Sequence, residues 1–182
     1  MPILIHLNGP PGVGKSTLAQ RYVDEHPGAL KLDIDTVASL IGGWREDFYG
    51  VLAAARNIAI AMAETHLRTG CDVVMPQLET SVDEAERFRL AAERARAEYV
   101  EIALTVEAAE QMRRFAGKAT YTEVDAHIAR VVAAEGGEEL HGLIQRQLGA
   151  YIAQRPATLL LDTAGADVSV SYAQMLQTLD RR

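Results

Sequence analysis

Cysteine, aromatic residues and long hydrophobic runs are all scarce in this sequence. Cys71 is the one cysteine among 182 residues, so no disulfide can form within the chain. No apolar run approaches the roughly 20 residues that a membrane-spanning helix needs, so a membrane protein is not expected. No basic segment precedes the first apolar run at Ile3, so no secretory signal peptide is expected.

Basic residues are also in deficit, because 18 Lys and Arg face 25 Asp and Glu and give a formal net charge of −7. A field of this sign repels polyanions and argues against broad nucleic-acid binding, although a local basic groove is compatible with it. Hydrophobic residues make up 48% of the chain, which is enough to form a substantial core. Length and composition together predict a single domain over residues 1–182.

A glycine-rich motif follows the first apolar run. It fits the pattern G-x-x-x-x-G-K-[ST] without a mismatch, with a strand pattern before it and a helix pattern after it. The candidate nucleotide-binding residues are Gly9, Pro10, Pro11, Gly12, Val13, Gly14, Lys15, Ser16 and Thr17.

In such a motif the glycines let the backbone adopt positive φ and approach a phosphate closely. Successive N–H groups then form an anion site at the N-terminus of a helix. Lys15 is predicted to reach the β- and γ-phosphates, and the Ser16 hydroxyl to be a Mg²⁺ ligand. The alternative is a glycine-rich turn with an unrelated lysine, but the flanking strand and helix favour a nucleoside triphosphate site. Together with the single cysteine, such a site indicates a cytoplasmic protein.

Strand and helix patterns alternate along the chain, which predicts an α/β fold with a parallel sheet covered by helices. The predicted strands cover residues 3–7, 29–33, 72–76, 100–106 and 158–162. The predicted helices cover residues 15–25, 36–41, 51–69, 81–99, 107–115, 122–135, 140–154 and 170–179. The alanine-rich helix over 51–69 is apolar on most faces and is expected to be deeply packed.

Asp33 and Asp35 end the second predicted strand. In parallel sheets ligands bind at the carboxyl ends of the strands, where the glycine-rich motif also lies. A carboxylate at this edge can accept the proton of an acceptor hydroxyl during phosphoryl transfer, so Asp35 is the candidate general base and both aspartates are candidates for acceptor binding. The alternative is structural: Asp35 would cap a helix that begins at Thr36, and Asp33 would only be solvated at the strand end.

The sequence resembles the small P-loop kinases that phosphorylate a hydroxyl, a group that includes gluconate and shikimate kinases, chloramphenicol phosphotransferase, zeta-toxin kinases and the polynucleotide 5′-kinase domain. The resemblance covers nearly the whole chain and rests on residues 9–17, 32–35, 70–75, 113–114 and 161–163. It implies a three-layer P-loop NTPase fold with a five-stranded parallel sheet of order 2-3-1-4-5 and a helical lid over about residues 113–137. It also implies ATP as donor, Mg²⁺, Asp35 as base, and Arg113 or Arg114 approaching the phosphates from the lid. Weaker lid candidates are Lys118 and Arg130.

The sequence departs from this group after the third strand, where many relatives have an acidic residue and Gln77 stands here. An amide cannot hold Mg²⁺ as a carboxylate does, so the metal would rely on Ser16, waters and Asp33. Gln77 could instead form a hydrogen bond with the acceptor.

Three further residues are candidates for acceptor binding: Trp44, Arg45 and Arg56. The alternatives are a tryptophan that packs its loop on the core and an arginine in a structural salt bridge. The sequence thus predicts an ATP- and Mg²⁺-dependent kinase that phosphorylates the hydroxyl group of a small molecule. Two other classes stay open: a polynucleotide 5′-hydroxyl kinase, which needs a basic entry groove, and a non-catalytic regulatory module, which would bind ATP without transferring phosphate.

Overall fold

The computed structural model describes residues 1–117, 122–134 and 136–180, and strands and helices alternate along most of this chain. The elements are β1 (Ile3–Asn8), α1 (Lys15–Glu25), β2 (Leu30–Lys31), α2 (Ile34–Ser39), α3 (Phe48–Leu67), β3 (Val73–Pro76), α4 (Val82–Arg94), β4 (Glu98–Thr105), α5 (Ala108–Ala116), α6 (Glu123–Ala134), α7 (Glu138–Ala153), β5 (Leu159–Asp162) and α8 (Val168–Asp180).

The sheet has five strands in the order β2-β3-β1-β4-β5, and every pair is parallel. β1 lies at its centre, with Ile5 opposite Val74 of β3 and Val100 of β4. The predicted fold class and strand order are therefore confirmed. All carboxyl ends of the strands meet at one edge, where the loops that follow β1, β2 and β3 lie together.

Helices cover both faces of the sheet. Successive side chains of β1 point to opposite faces, so each face has its own core. Leu4 packs on one side in a cluster with Phe88 of α4 and residues of α2 and α3. Ile5 packs on the other side in a cluster with Leu18 of α1 and Met175 of α8. These two cores give three layers and explain why β1 is an almost unbroken apolar run.

The second strand is shorter than predicted, and the helix after it begins earlier. β2 ends at Lys31, and α2 begins at Ile34. Asp33 is the N-cap: its Oδ1 accepts hydrogen bonds from the N–H groups of Asp35 (3.0 Å) and Thr36 (3.2 Å). The predicted helix start at Thr36 is wrong, and so is the alternative interpretation in which Asp35 is the cap, because Asp33 accepts the two backbone N–H groups that a cap serves.

Helix α3 buries one narrow stripe instead of most of its surface. The stripe consists of Ala55, Ala59, Ala63 and Leu67. On the opposite side Ile58 is 45% exposed and Met62 is 37% exposed, so the predicted deep packing is wrong. Alanines four residues apart let the helix approach the sheet closely on one face only. None of the helices in the described ranges is long and apolar enough to span a membrane.

Helix α4 ends at Arg94, five residues before the predicted end at Tyr99. Arg96 has φ of 57°, a left-handed conformation that ends the helix, and the Ala97 N–H bonds back to the Ala92 carbonyl. β4 then begins at Glu98, so Tyr99 is a strand residue.

Candidate active site

The phosphate loop, residues 9–16, connects β1 to α1 at the carboxyl edge of the sheet. Gly9, Gly12 and Gly14 have φ of 143°, 85° and 106°, which glycine adopts at little cost. Gly9 also needs a close approach, since a Cβ there would lie 2.8 Å from the Leu104 carbonyl oxygen of β4. Gly14 is the N-cap of α1, so the unpaired N–H groups of that helix start at the loop. This backbone can bind a phosphate group.

Lys15 folds back over the phosphate loop. Its Nζ donates hydrogen bonds to the carbonyl oxygens of Gly9 (2.7 Å) and Pro10 (3.0 Å), and the residue is 9% exposed. Ser16 is half-buried and Thr17 is exposed in the first turn of α1. A cation held by neutral carbonyl groups can exchange them for a phosphate, which is the stronger acceptor.

Helix α5 packs against the outer side of the phosphate loop. A Cβ on Gly12 would lie 2.9 Å from Phe115 Cβ and 3.0 Å from the Gln111 carbonyl oxygen. The Gln111 side-chain Nε2 donates to the Pro11 carbonyl oxygen at 2.9 Å. Gln111 was not among the predicted site residues, and its four-residue spacing from Phe115 on one helix face is the only indication in the sequence of a shared contact.

The two arginines that close α5 lie in different surroundings. Arg114 donates to the Thr163 hydroxyl (3.1 Å), to the Thr163 carbonyl (2.8 Å) and to Glu110 Oε1 (2.5 Å). Because Thr163 follows β5, Arg114 ties α5 to the loop after that strand. Arg113 is exposed, and its side chain makes no hydrogen bond or ion pair within the described residues.

Asp33 and Asp35 lie at the same edge as the phosphate loop, where β2 ends. β3 alone separates β2 from β1 in the sheet. Asp35 is half-buried in the first turn of α2, where the helix dipole stabilises a carboxylate. Asp33 serves as the cap through Oδ1, so Asp35 is the carboxylate of the pair that is not needed to start the helix.

Asn8 and Glu79 were missed by the sequence analysis, although they join two loops of the site. Asn8 is fully buried; its Oδ1 accepts from the N–H groups of Gly9 (2.8 Å) and Glu79 (2.9 Å). Its Nδ2 donates to the Glu79 carbonyl and to Glu101 Oε1, both at 2.9 Å. Glu79 Oε1 accepts from the next two backbone N–H groups. Glu79 could have been identified from the sequence, because many of the kinases that the sequence resembles have an acidic residue after the third strand and Glu79 follows that strand closely.

Arg56 in α3 faces the buried carboxylate of Glu79. Its Nε lies 3.7 Å from Glu79 Oε2 and has no hydrogen-bond partner within the described residues. Burial raises the pKa of Glu79, and the Ser81 N–H and the Arg56 charge offset this only in part. The structural salt bridge is therefore present. Gln77, another acceptor-side candidate, is half-buried, and its Nε2 donates to the Leu78 carbonyl at 3.4 Å.

Glu101 of β4 is a buried carboxylate that accepts four hydrogen bonds. Its Oε1 accepts from Asn8 (2.9 Å) and the Tyr151 hydroxyl (2.8 Å). Its Oε2 accepts from Arg155 Nε (2.9 Å) and the Thr158 hydroxyl (3.0 Å). Through Asn8 this network holds the start of the phosphate loop to the end of α7.

His6 of β1 lies beside this carboxylate, and both of its ring nitrogens are used. Nε2 lies 3.0 Å from the Gln77 carbonyl oxygen, so it carries the proton and donates it. Nδ1 accepts from the Tyr99 hydroxyl at 2.8 Å. Burial lowers the pKa of His6. Burial acts to raise the pKa of Glu101, but the charges and hydrogen bonds of its network outweigh that effect and leave the pKa below its usual value.

Glu101→Gln is expected to lower the free energy of unfolding by about 3 kcal/mol at neutral pH, because Arg155 loses its buried partner. A carboxyl whose folded pKa is depressed stabilises the protein above its unfolded pKa of 4.5 and loses that contribution as the pH falls. The difference between the two proteins should therefore shrink in acid. Urea unfolding of both proteins at about pH 7 and about pH 4 measures it. If the difference in unfolding free energy between the two proteins does not depend on pH, Glu101 is not a stabilising carboxylate with a lowered pKa.

Trp44 and Arg45 lie between α2 and α3, against α6. Trp44 is 6% exposed, and its ring meets the His127 ring edge-on with centroids 5.1 Å apart. The Arg45 guanidinium lies 4.5 Å from the Trp44 ring centroid and forms an ion pair with Glu123 of α6. The structure therefore matches the interpretation in which Trp44 packs its loop.

A cavity of about 230 Å³ lies beside this contact. Phe48 and Tyr49 line it from α3, and His127 lines it from α6. The cavity thus opens between the loop after α2 and the predicted lid. Of the weaker lid candidates, Arg130 is exposed on α6, and Lys118 lies outside the described residues.

A family model described as an AAA domain matches residues 4–136, which is more than half of the chain. The chain belongs to the AAA-domain family. Among curated protein sequences, none matches this chain significantly.

Solved structures with the same fold span almost the whole chain. A candidate kinase from Chloroflexus aurantiacus J-10-fl superposes with a TM-score of 0.65 at 18% identity, covering 99% of this chain and 97% of that one. A gluconokinase from Sinorhizobium meliloti 1021 gives 0.60 at 15% identity over 99% and 91%. A tunicamycin resistance protein from Deinococcus radiodurans gives 0.62 at 14% identity over 100% and 95%. The predicted resemblance to small P-loop kinases is therefore confirmed at the level of the fold.

Magnesium binding by this AAA domain would depend on few protein ligands. Within the ranges that the structure describes, no three His, Cys, Asp or Glu side chains are grouped to hold a metal. Mg²⁺ typically keeps several waters and takes one or two protein oxygens together with substrate phosphates, so a sparse donor set fits it. The Ser16 hydroxyl in the first turn of α1 is the predicted ligand, and Asp33 is the second candidate.

Proposed function

We propose that this protein is an ATP- and Mg²⁺-dependent phosphotransferase that phosphorylates a hydroxyl group of a small molecule, with Asp35 as general base. The observation that carries the proposal is the shared edge of the sheet, where the phosphate loop follows β1 and Asp35 follows β2. The names of the similar structures support the reaction class, since they include a gluconokinase and a candidate kinase.

The reaction requires a triphosphate at the phosphate loop and an acceptor hydroxyl near Asp35. The Asp35 carboxylate takes the hydroxyl proton while the acceptor oxygen forms a bond to the γ-phosphorus. The bond from that phosphorus to the oxygen bridging the β-phosphate breaks, and ADP leaves. Lys15 and the loop N–H groups stabilise the negative charge on the phosphates. When bound at Ser16, Mg²⁺ would neutralise further charge on them.

Of the two lid arginines, Arg113 is the better candidate for contacting the transferred phosphoryl group. Arg114 already donates to Thr163 and Glu110, and leaving them would cost those hydrogen bonds. Arg113 lies next to it at the end of α5, exposed at the start of the predicted lid. An exposed arginine can turn towards a phosphate without leaving a buried partner unpaired.

The acceptor is expected to bind between α2, α3 and α6. Arg56 and Gln77 would contact it from the side of β3, and Arg45 from the side of the lid, near the cavity beside Phe48. Asp33 is expected to help position it from the N-cap of α2. Trp44 would position Arg45 and His127, which its ring contacts, beside the acceptor.

An acceptor screen tests the proposal. Sugar acids, nucleosides, nucleotide sugars, antibiotics and a 5′-hydroxyl oligonucleotide would be incubated with ATP and Mg²⁺, and ADP formation would be measured. We expect ADP release that depends on one class of small-molecule alcohol and a mass increase of that alcohol by one phosphoryl group. ATP binding without transfer to any acceptor would instead indicate a regulatory module. Transfer only to the oligonucleotide would indicate a polynucleotide kinase.

A further inference from the structure

We propose that Gln111 is a positioning residue for the phosphate loop, which it holds from outside through the Pro11 carbonyl group. The inference rests on the proposed function, because it assigns Gln111 to the nucleotide-binding step of that site. Gln111 lies on α5, 100 residues after Pro11, and is fully buried.

The hydrogen-bond partners fix the orientation of the Gln111 amide. The Pro11 carbonyl can only accept, so the amide nitrogen must face it, at 2.9 Å. The same nitrogen lies 2.9 Å from His141 Nδ1, which therefore accepts its second hydrogen. The amide oxygen accepts from Gln145 Nε2, also at 2.9 Å. The Gln111 side chain thus joins the phosphate loop to α7, and both of its amide hydrogens are used.

The surroundings of His141 keep this arrangement intact at neutral pH. His141 is 5% exposed, and the Phe115 ring meets it edge-on with centroids 5.0 Å apart. Burial lowers the pKa of His141, so Nδ1 keeps its lone pair. Phe115 also lies against Gly12, so α5 contacts two successive residues of the loop, Pro11 and Gly12.

Nucleotide binding changes the inner hydrogen bonds of the loop but not this outer one. Lys15 donates to the carbonyl oxygens of Gly9 and Pro10, and it must leave them to reach a phosphate. The Gln111 bond to Pro11 involves neither Lys15 nor the loop N–H groups. It can therefore keep the loop in its binding shape while Lys15 changes partners, which lowers the ordering cost of binding.

Gln111→Glu removes this bond with little change of shape. The carboxylate still accepts from Gln145, but it has no hydrogen to donate to Pro11. We expect the affinity for a non-hydrolysable ATP analogue to fall about tenfold, the effect of one lost hydrogen bond to a buried acceptor. Amide hydrogen exchange of residues 12–16 in the nucleotide-free protein should become faster. Gln111→Met, which also lacks the donor but adds no charge, should have the same two effects.

Gln145→Met is the matched control, because it disturbs the same cluster while the Gln111 nitrogen keeps both acceptors. It should change the melting temperature at most and leave affinity and loop exchange as in the wild type. If the Gln111 variants lower only the melting temperature, Gln111 is merely structural and the inference is overturned. If the wild type binds no nucleotide, the proposed function fails, and unchanged exchange of the loop in the Gln111 variants would overturn the inference separately.

Discussion

Lys15→Ala is expected to abolish detectable phosphoryl transfer while the protein stays folded. Lys15 is the one loop side chain placed to bring a full positive charge to the phosphates, and losing a preorganised group of this kind costs roughly 10²–10³-fold in turnover or more. Its hydrogen bonds to the carbonyl oxygens of Gly9 and Pro10 are made to the loop and not to the core. The rate of acceptor-dependent ADP formation and the melting temperature measure the two effects.

Lys31→Ala is the matched control for this experiment, because it removes the same charge near the same edge of the sheet. Its ammonium donates to the Gln20 amide oxygen at 3.3 Å, a contact between exposed side chains of β2 and α1. We expect turnover close to that of the wild type. If Lys15→Ala keeps wild-type turnover, or if it unfolds the protein, the assignment of the phosphate loop is wrong.

The parts of the site that could be predicted from the sequence are those that depend on neighbouring residues. The phosphate loop is one of them, since its positive φ angles come from glycines at fixed spacings and its helix starts directly after them. Helix α1 has the predicted bounds, residues 15–25, because Pro27 and Gly28 end the helical pattern. The strand order followed from the resemblance, because that order belongs to the whole fold.

The parts that could not be predicted depend on contacts between distant residues. Asn8 meets Glu79 and Glu101 across 71 and 93 residues of sequence. Nothing in the local sequence distinguishes Asn8, Glu79 or Glu101 from other polar residues. They become partners only because β3, β1 and β4 are neighbours in the folded sheet. Gln111 is a similar case, since its contact with Pro11 exists only because α5 folds over the phosphate loop.

The predicted start of the second helix was wrong for a different reason, since α2 begins at Ile34 with Asp33 as its cap. Two aspartates with one residue between them both have the chemistry of a cap, and local propensity does not distinguish them. The choice is made by where β2 leaves the sheet: its pairing with β3 stops at Lys31, which leaves Asp33 in extended backbone directly before the helix. Asp35 is thereby placed inside the first turn.

Asp35→Asn is expected to lower turnover by roughly 10²–10⁴-fold, the usual range for the loss of a positioned acid–base group. An amide has nearly the same size as the carboxylate but cannot accept the hydroxyl proton. ATP affinity should hardly change, because the triphosphate is held by Lys15, Ser16 and the loop N–H groups. Stability should change little, since Asp33 and not Asp35 caps α2, and a carboxylate in the first turn contributes only about 0.3–1 kcal/mol.

Asp33→Asn provides the control for this prediction, because Asn and Asp cap helices about equally well. It should keep α2 intact and, at saturating Mg²⁺, reduce turnover far less than Asp35→Asn does, because Asp33 positions the acceptor and is a candidate Mg²⁺ ligand but does not take the proton. Steady-state rates of acceptor phosphorylation, ATP titrations and melting curves of both variants give the comparison. High residual turnover of Asp35→Asn with normal ATP binding would show that another group takes the proton. Equal losses in both variants would show that the carboxylates act on the shape of the acceptor site and not as a base.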